Sequence, residues 1–111
     1  MIKAKFYTKN DSIHMSLKGH AGAAPIGEDL ICASATMMAY TVAQAVQFMY
    51  DAGKLKKKPK IYLREGRANI IVTPKEEDYA EALHTFYVAQ CGIHLLAHNY
   101  PEHVKLEHLT V

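Results

Sequence analysis

Ile2, Ala4 and Phe6 alternate with Lys3, Lys5 and Tyr7, the period of two that marks a half-buried strand, over roughly Met1–Thr8. Lys9-Asn10-Asp11 supplies a turn, after which Ile13, Met15 and Leu17 alternate with His14, Ser16 and Lys18. The two runs predict an antiparallel hairpin, apolar on one face and wet on the other. Gly19 to Gly27 is a loop rich in glycine and alanine and broken by Pro25. A helix is predicted from a start near Asp29, a favoured N-cap residue, to about Asp51. It contains no glycine or proline, and its apolar residues are not confined to one stripe, which predicts a central helix packed on several sides.

Gly53 ends that helix, and Lys54–Lys60 form a basic connection. Strands at Lys60–Arg64 and Arg67–Thr73 are joined through Glu65-Gly66, a tight hairpin signal. Thr73-Pro74-Lys75-Glu76 reads as a capping box with proline at the first helical position, opening a second helix that runs to about Asn99. It stops before Pro101, and a last strand covers roughly His103–Thr110. The order β-β-α-β-β-α-β predicts an α+β fold of two layers, a mainly antiparallel sheet covered on one face by two helices.

The length of 111 residues suits one domain, spanning residues 1–111, and half of the residues are apolar, enough for one modest core. A formal net charge of +2 does not mark the whole chain as a nucleic-acid binder. Two cysteines, Cys32 and Cys91, do not make the disulfide framework of a small secreted domain. The N-terminus lacks the apolar stretch of a signal peptide. The uncharged run Leu30–Tyr50 is diluted by Ser34, Thr36, Thr41, Gln44 and Gln47, so it reads as a soluble helix. A cytoplasmic location with reduced thiols is the expectation.

The candidate chemistry lies at the junction of loop and first helix. If Asp29 is the N-cap, Cys32 is the third helical residue, near free backbone N–H groups and the positive end of the dipole. A helix start and a neighbouring histidine both favour thiolate, the nucleophilic form. His20 closes a strand twelve residues earlier, and the loop is long enough to bring it back. Such a pair supplies nucleophile and general acid for acyl transfer, with helix-start N–H groups facing the oxyanion. Glycines 19, 22 and 27 would let an extended peptide approach the backbone closely. An inert buried cysteine beside a glycine turn accounts for the same residues, since free cysteine is among the most buried types. Asp29 either caps the helix alone or also orients His20.

Gly19-His20-Ala21-Gly22, a spacer, then Gly27-Glu28-Asp29-Leu30-Ile31-Cys32-Ala33 resembles the signature of the ribosomal-processing cysteine protease family, Prp. The likeness covers the chain in length and element order. The family pattern is Gly-His-Ala, a glycine-bearing spacer, then Gly-x-Asp-Ile-Val-Cys-Ala-Ala. Here Leu30-Ile31 replaces Ile-Val, Ser34 replaces the second alanine, and Ala23-Ala24-Pro25-Ile26 is a less polar spacer. The resemblance implies a small cytoplasmic α+β homodimer that removes an N-terminal extension from a large-subunit ribosomal protein. It implies Cys32 as nucleophile and His20 as its base. Thr36 stands where the family has a serine hydroxyl four residues after the cysteine.

Other candidates are weaker. Cys91, mid-helix between Val88 and Leu95, reads as core. His94 and His98 share a helix face, but His94-Leu95-Leu96-Ala97-His98 lacks the glutamate of the zinc-peptidase helix motif. No metal and no cofactor are expected. Lys54–Lys60 reads as a solvated connection, with weak contact to RNA or the ribosome as its functional reading. That contact carries the alternative function, a non-catalytic ribosome- or RNA-associated homodimeric module. A third reading is a dimerisation scaffold whose cysteine is only core. The residues from 21 to 26 are expected to move in the free protein and order over substrate, with Gly22 and Gly27 as hinges.

Overall fold

The computed structural model describes residues 1–22, 24 and 29–109. Strands β1 (Ile2–Lys9), β2 (Ser12–Lys18), β3 (Lys60–Arg64), β4 (Arg67–Val72) and β5 (Val104–Leu109) form one five-stranded sheet in the order β3-β4-β2-β1-β5. Helices α1 (Leu30–Asp51) and α2 (Tyr79–Asn99) cover one face. All neighbouring pairs are antiparallel except β1 and β5, which run parallel.

The alternation read in the first two strands is what the sheet uses. Ile2, Ala4, Phe6, Ile13 and Met15 are all buried, while Lys3, Lys5 and Lys18 face solvent. Asn10 takes a left-handed φ of 56° in the turn between β1 and β2, a conformation asparagine tolerates. The core is completed by Ala39, Val42 and Val46 of α1 and by Phe86 and Ile93 of α2. At the helix–helix contact, a Cβ added to Gly92 would lie 2.6 Å from Met38 Sδ, so the Met38 side chain packs over the space that glycine leaves open.

Three expectations change. α1 is not packed on several sides. It buries Ala35, Ala39, Val42, Ala43, Val46 and Met49 and exposes a second apolar stripe, with Met37 59%, Tyr40 52% and Phe48 64% accessible. Thr73-Pro74 does not cap α2. The backbone of residues 73–75 is already committed to residues 54–56, through Lys56 N–H to Thr73 O, Lys75 N–H to Lys54 O and a bridge between Leu55 and Pro74. The Thr73 hydroxyl meets Ser12 Oγ at 3.0 Å, and a 3-10 turn at Glu76–Asp78 precedes the helix. Cys91 is exposed, on the same side of α2 as the exposed Val88 and Leu95, whereas Ala82, Phe86, Ala89 and Ile93 form the buried side. Among the described residues no helix is long and apolar enough to cross a membrane.

Candidate active site

Asp29 is the N-cap of α1. Its backbone is extended (φ −83°, ψ 100°), and its Oδ1 accepts the Cys32 N–H at 2.9 Å, while its carbonyl accepts the first helical bond from Ala33. Asp29 is buried, with 8% of the residue accessible. The cap therefore fixes Cys32 in the first turn, with its side chain half-buried. The Thr36 hydroxyl donates to the Cys32 carbonyl at 2.8 Å, so its hydrogen is spent on the helix backbone.

His20 leaves the end of β2 on the opposite side of the same opening. Gly19 before it has φ +101°, and a Cβ there would collide with the Met1 carbonyl oxygen. The Gly19 N–H donates to Gly66 O at 2.8 Å, which ties the strand end to the turn between β3 and β4. Gly66 itself has φ +74°, and a Cβ there would lie 2.8 Å from His20 Nε2. The imidazole thus sits in the space that a side chain at position 66 would fill. Beyond it, Ala21 is buried and its carbonyl lies 2.8 Å from His103 Nδ1.

His20, Gly22, Asp29, Cys32, Thr36 and Gly66 all line one open, predominantly apolar cleft of about 700 Å³. That volume suits the side chains of an extended peptide segment. Ala33, Met37 and Tyr40 form its α1 wall, and Arg64 and Glu65 its far rim. Among the described residues no hydrogen bond joins the Cys32 thiol to the His20 ring. Of the residues singled out from sequence, Gly27 and residues 23, 25 and 26 of the 21–26 segment lie outside the described residues, so its expected movement over substrate lies there too. Gly22 takes a positive φ of 72° at the cleft edge. The Arg64–Gly66 turn was not anticipated at the site. Its local signal is only that of a hairpin, and the bond from Gly19 that brings it to His20 spans the sheet.

The other candidates resolve simply. Lys54 pairs with Glu81 at 2.9 Å and Lys56 with Asp11 at 3.0 Å, so two lysines of the basic run are already engaged. The Glu81 carboxylate raises the Lys54 ammonium above its ordinary value, and Lys56 holds the Asp11 carboxyl below its own. His94 and His98 stack at 6.5 Å between ring centroids, and among the described residues no three His, Cys, Asp or Glu side chains group as metal ligands.

Comparison with curated proteins gives no significant match. Among solved structures, the chain resembles the essential ribosomal processing protease Prp from S. aureus in complex with a covalently linked product peptide. The TM-score is 0.71 at 17% identity, covering 96% of this chain and 98% of that one. SMU.848 from Streptococcus mutans superposes with a TM-score of 0.68 at 24% identity, covering 96% and 92%. The same S. aureus protease with a substrate peptide gives 0.68 at 16% identity, covering 96% and 98%. At these identities the structures speak for the fold alone. The sequence adds what they do not, because residues 1–105 match the family described as cysteine protease Prp, to which this chain belongs.

Proposed function

We propose that this cysteine peptidase removes an N-terminal extension from a large-subunit ribosomal protein in the cytoplasm, with Cys32 as nucleophile and His20 as its base. The observation that carries the reading is the cleft itself, in which a thiol fixed by the Asp29 cap and an imidazole seated on Gly66 face one peptide-sized opening. Cys32 Sγ, as thiolate, attacks the scissile carbonyl carbon, and the carbonyl π electrons move to oxygen. The Cys32 N–H is engaged by Asp29, and the N–H groups of Leu30 and Ile31, which have no acceptor among the described residues, are the helix-start donors assigned to that oxyanion. Collapse of the intermediate breaks the C–N bond, and the His20 imidazolium protonates the departing amine. Water, deprotonated by His20, then hydrolyses the thioester and restores the thiol.

In this reading Asp29 acts as the cap that positions Cys32, Gly19 and Gly66 as the seat of His20, and Gly22 and Gly27 as backbone that a peptide can approach. Thr36 supports the first turn. The exposed stripe of Met37, Tyr40 and Phe48 runs from the cleft wall along α1, and covering it supports a homodimer.

The test is mass spectrometry of N-terminally extended ribosomal-protein peptides incubated with the full chain. Wild type cleaves at one position. Cys32→Ala melts like wild type and gives no product, and His20→Ala also gives no product while alkylation of Cys32 slows. Undiminished cleavage by Cys32→Ala ends the peptidase assignment, and unchanged cleavage and alkylation in His20→Ala end the dyad.

A further inference from the structure

The helices cover only one face of the sheet, and the strand registers arrange charge on the other. Lys105 pairs with Lys3 across β5 and β1, Lys3 with Lys18 across β1 and β2, Lys18 with Arg67 across β2 and β4, and Arg67 with Arg64 across β4 and β3. Each of the five strands thus contributes one exposed cation to a single transverse row. At a strand spacing of about 4.8 Å the row spans roughly 19 Å. Like charges facing each other across strands are destabilising. None of these five cations has an acidic partner among the described residues, where the ion pairs involve Lys5, Lys54 and Lys56.

Aromatic groups lie beside the row on the same face. The Arg64 guanidinium sits 5.6 Å over the ring of Tyr62, which is 49% accessible. Tyr7 and His14 stack at 4.4 Å between centroids. Beyond them, Lys9, Lys58 and Lys60 surround a shallow hollow at His14, whose Nδ1 is buried without a hydrogen-bond partner. Burial, then Lys9 and Lys60, lower the proton affinity of that imidazole, as expected where cations crowd.

We propose that the open face of the sheet, along the row Lys105–Lys3–Lys18–Arg67–Arg64, binds the phosphate backbone of RNA. A row of cations without ion-pair partners is complementary to a polyanion, Glu107 on the same face being held by Lys5, and the rings beside the row offer stacking surfaces that an acidic peptide would not use. The row itself lies apart from Lys54 and Lys56 of the basic connection, which are paired within the protein, while Lys58 and Lys60 of that connection border the same face. Among the described residues it meets the active-site cleft at Arg64, which also lines that cleft.

Fluorescence anisotropy with a labelled single-stranded RNA of about 16 nucleotides tests this, a length at the upper end of single-fold site sizes. Five phosphate contacts predict that log K falls with log salt at a slope of about −3.5. The triple variant Lys3→Gln, Lys18→Gln, Lys105→Gln leaves two contacts and reduces the slope to about −1.4. Lys75→Gln, off this face, leaves binding unchanged. With the mutual repulsion relieved, the triple variant melts no lower than wild type. A slope unaltered in the triple variant overturns the proposal. So does competition by polyglutamate as effective as that by unlabelled RNA, which would assign the face to an acidic protein segment. A change of sedimenting mass in the triple variant also overturns it, by making the face a contact between copies. Each readout is independent of peptide cleavage.

Discussion

Gly66 is the residue on which the histidine depends. Its positive φ disfavours any L side chain, and the volume that a Cβ would need is taken by the imidazole. Gly66→Ala therefore strains the turn and displaces His20 together. The expected stability loss is about 1 kcal/mol from the backbone conformation. The expected loss of kcat/KM is larger, on the order of a hundredfold, because small displacements of a catalytic group are costly. Thermal melts beside peptide-cleavage kinetics separate the two effects. Equal loss in both would make Gly66 a structural glycine only. Cys91 stands at the other extreme. An exposed thiol leaves no cavity, so Cys91→Ala changes stability by less than about 0.5 kcal/mol and leaves cleavage unchanged.

At the level of elements, the first turn of α1 joins stability to chemistry. Asp29→Ala removes the Cys32 N–H acceptor and leaves a buried gap, costing about 1 kcal/mol, or roughly 4–8 °C in melting temperature. Asp29→Asn keeps an acceptor oxygen and loses the charge. Stability retained in Asn with cleavage intact assigns Asp29 to capping, whereas cleavage lost in Asn at wild-type stability assigns its charge to the reaction. Much of this was legible in sequence. Alternation in Ile2–Phe6 and Ile13–Leu17 and the position of Asp29 are local signals, and the structure uses them as written. Thr73-Pro74-Lys75-Glu76 misleads because a capping box is a local preference, and a longer-range pairing with residues 54–56 claims the same backbone. Cys91 misleads because apolar neighbours at helical spacing define a face without saying whether it is covered. Arg64–Gly66 enters the cleft through a bond between Gly19 and Gly66, a tertiary contact that no run of residues encodes.

For the whole molecule, the uncovered stripe on α1 gives a concrete expectation. A homodimer burying Met37, Tyr40 and Phe48 sediments at micromolar concentration as twice the 12.4 kDa chain, and Phe48→Arg shifts it to the single chain with its helical content unchanged. Wild type sedimenting only as the single chain removes the dimer and leaves that stripe for another partner. The parallel pairing of β1 with β5 carries a different consequence, one of timing. β5 leaves the ribosome after every other element of the sheet, yet β1, among the first to emerge, has it as a neighbour, and the Ile2 N–H donates to His103 O at 2.8 Å just ahead of it. His103 is also the residue that meets Ala21 O and so anchors the chain just past His20. During synthesis the Asp29 cap on Cys32 needs only contacts within three residues and the Gly19–Gly66 bond needs the chain to reach β4, whereas the contact of Ala21 O with His103 closes last, when translation reaches the start of β5.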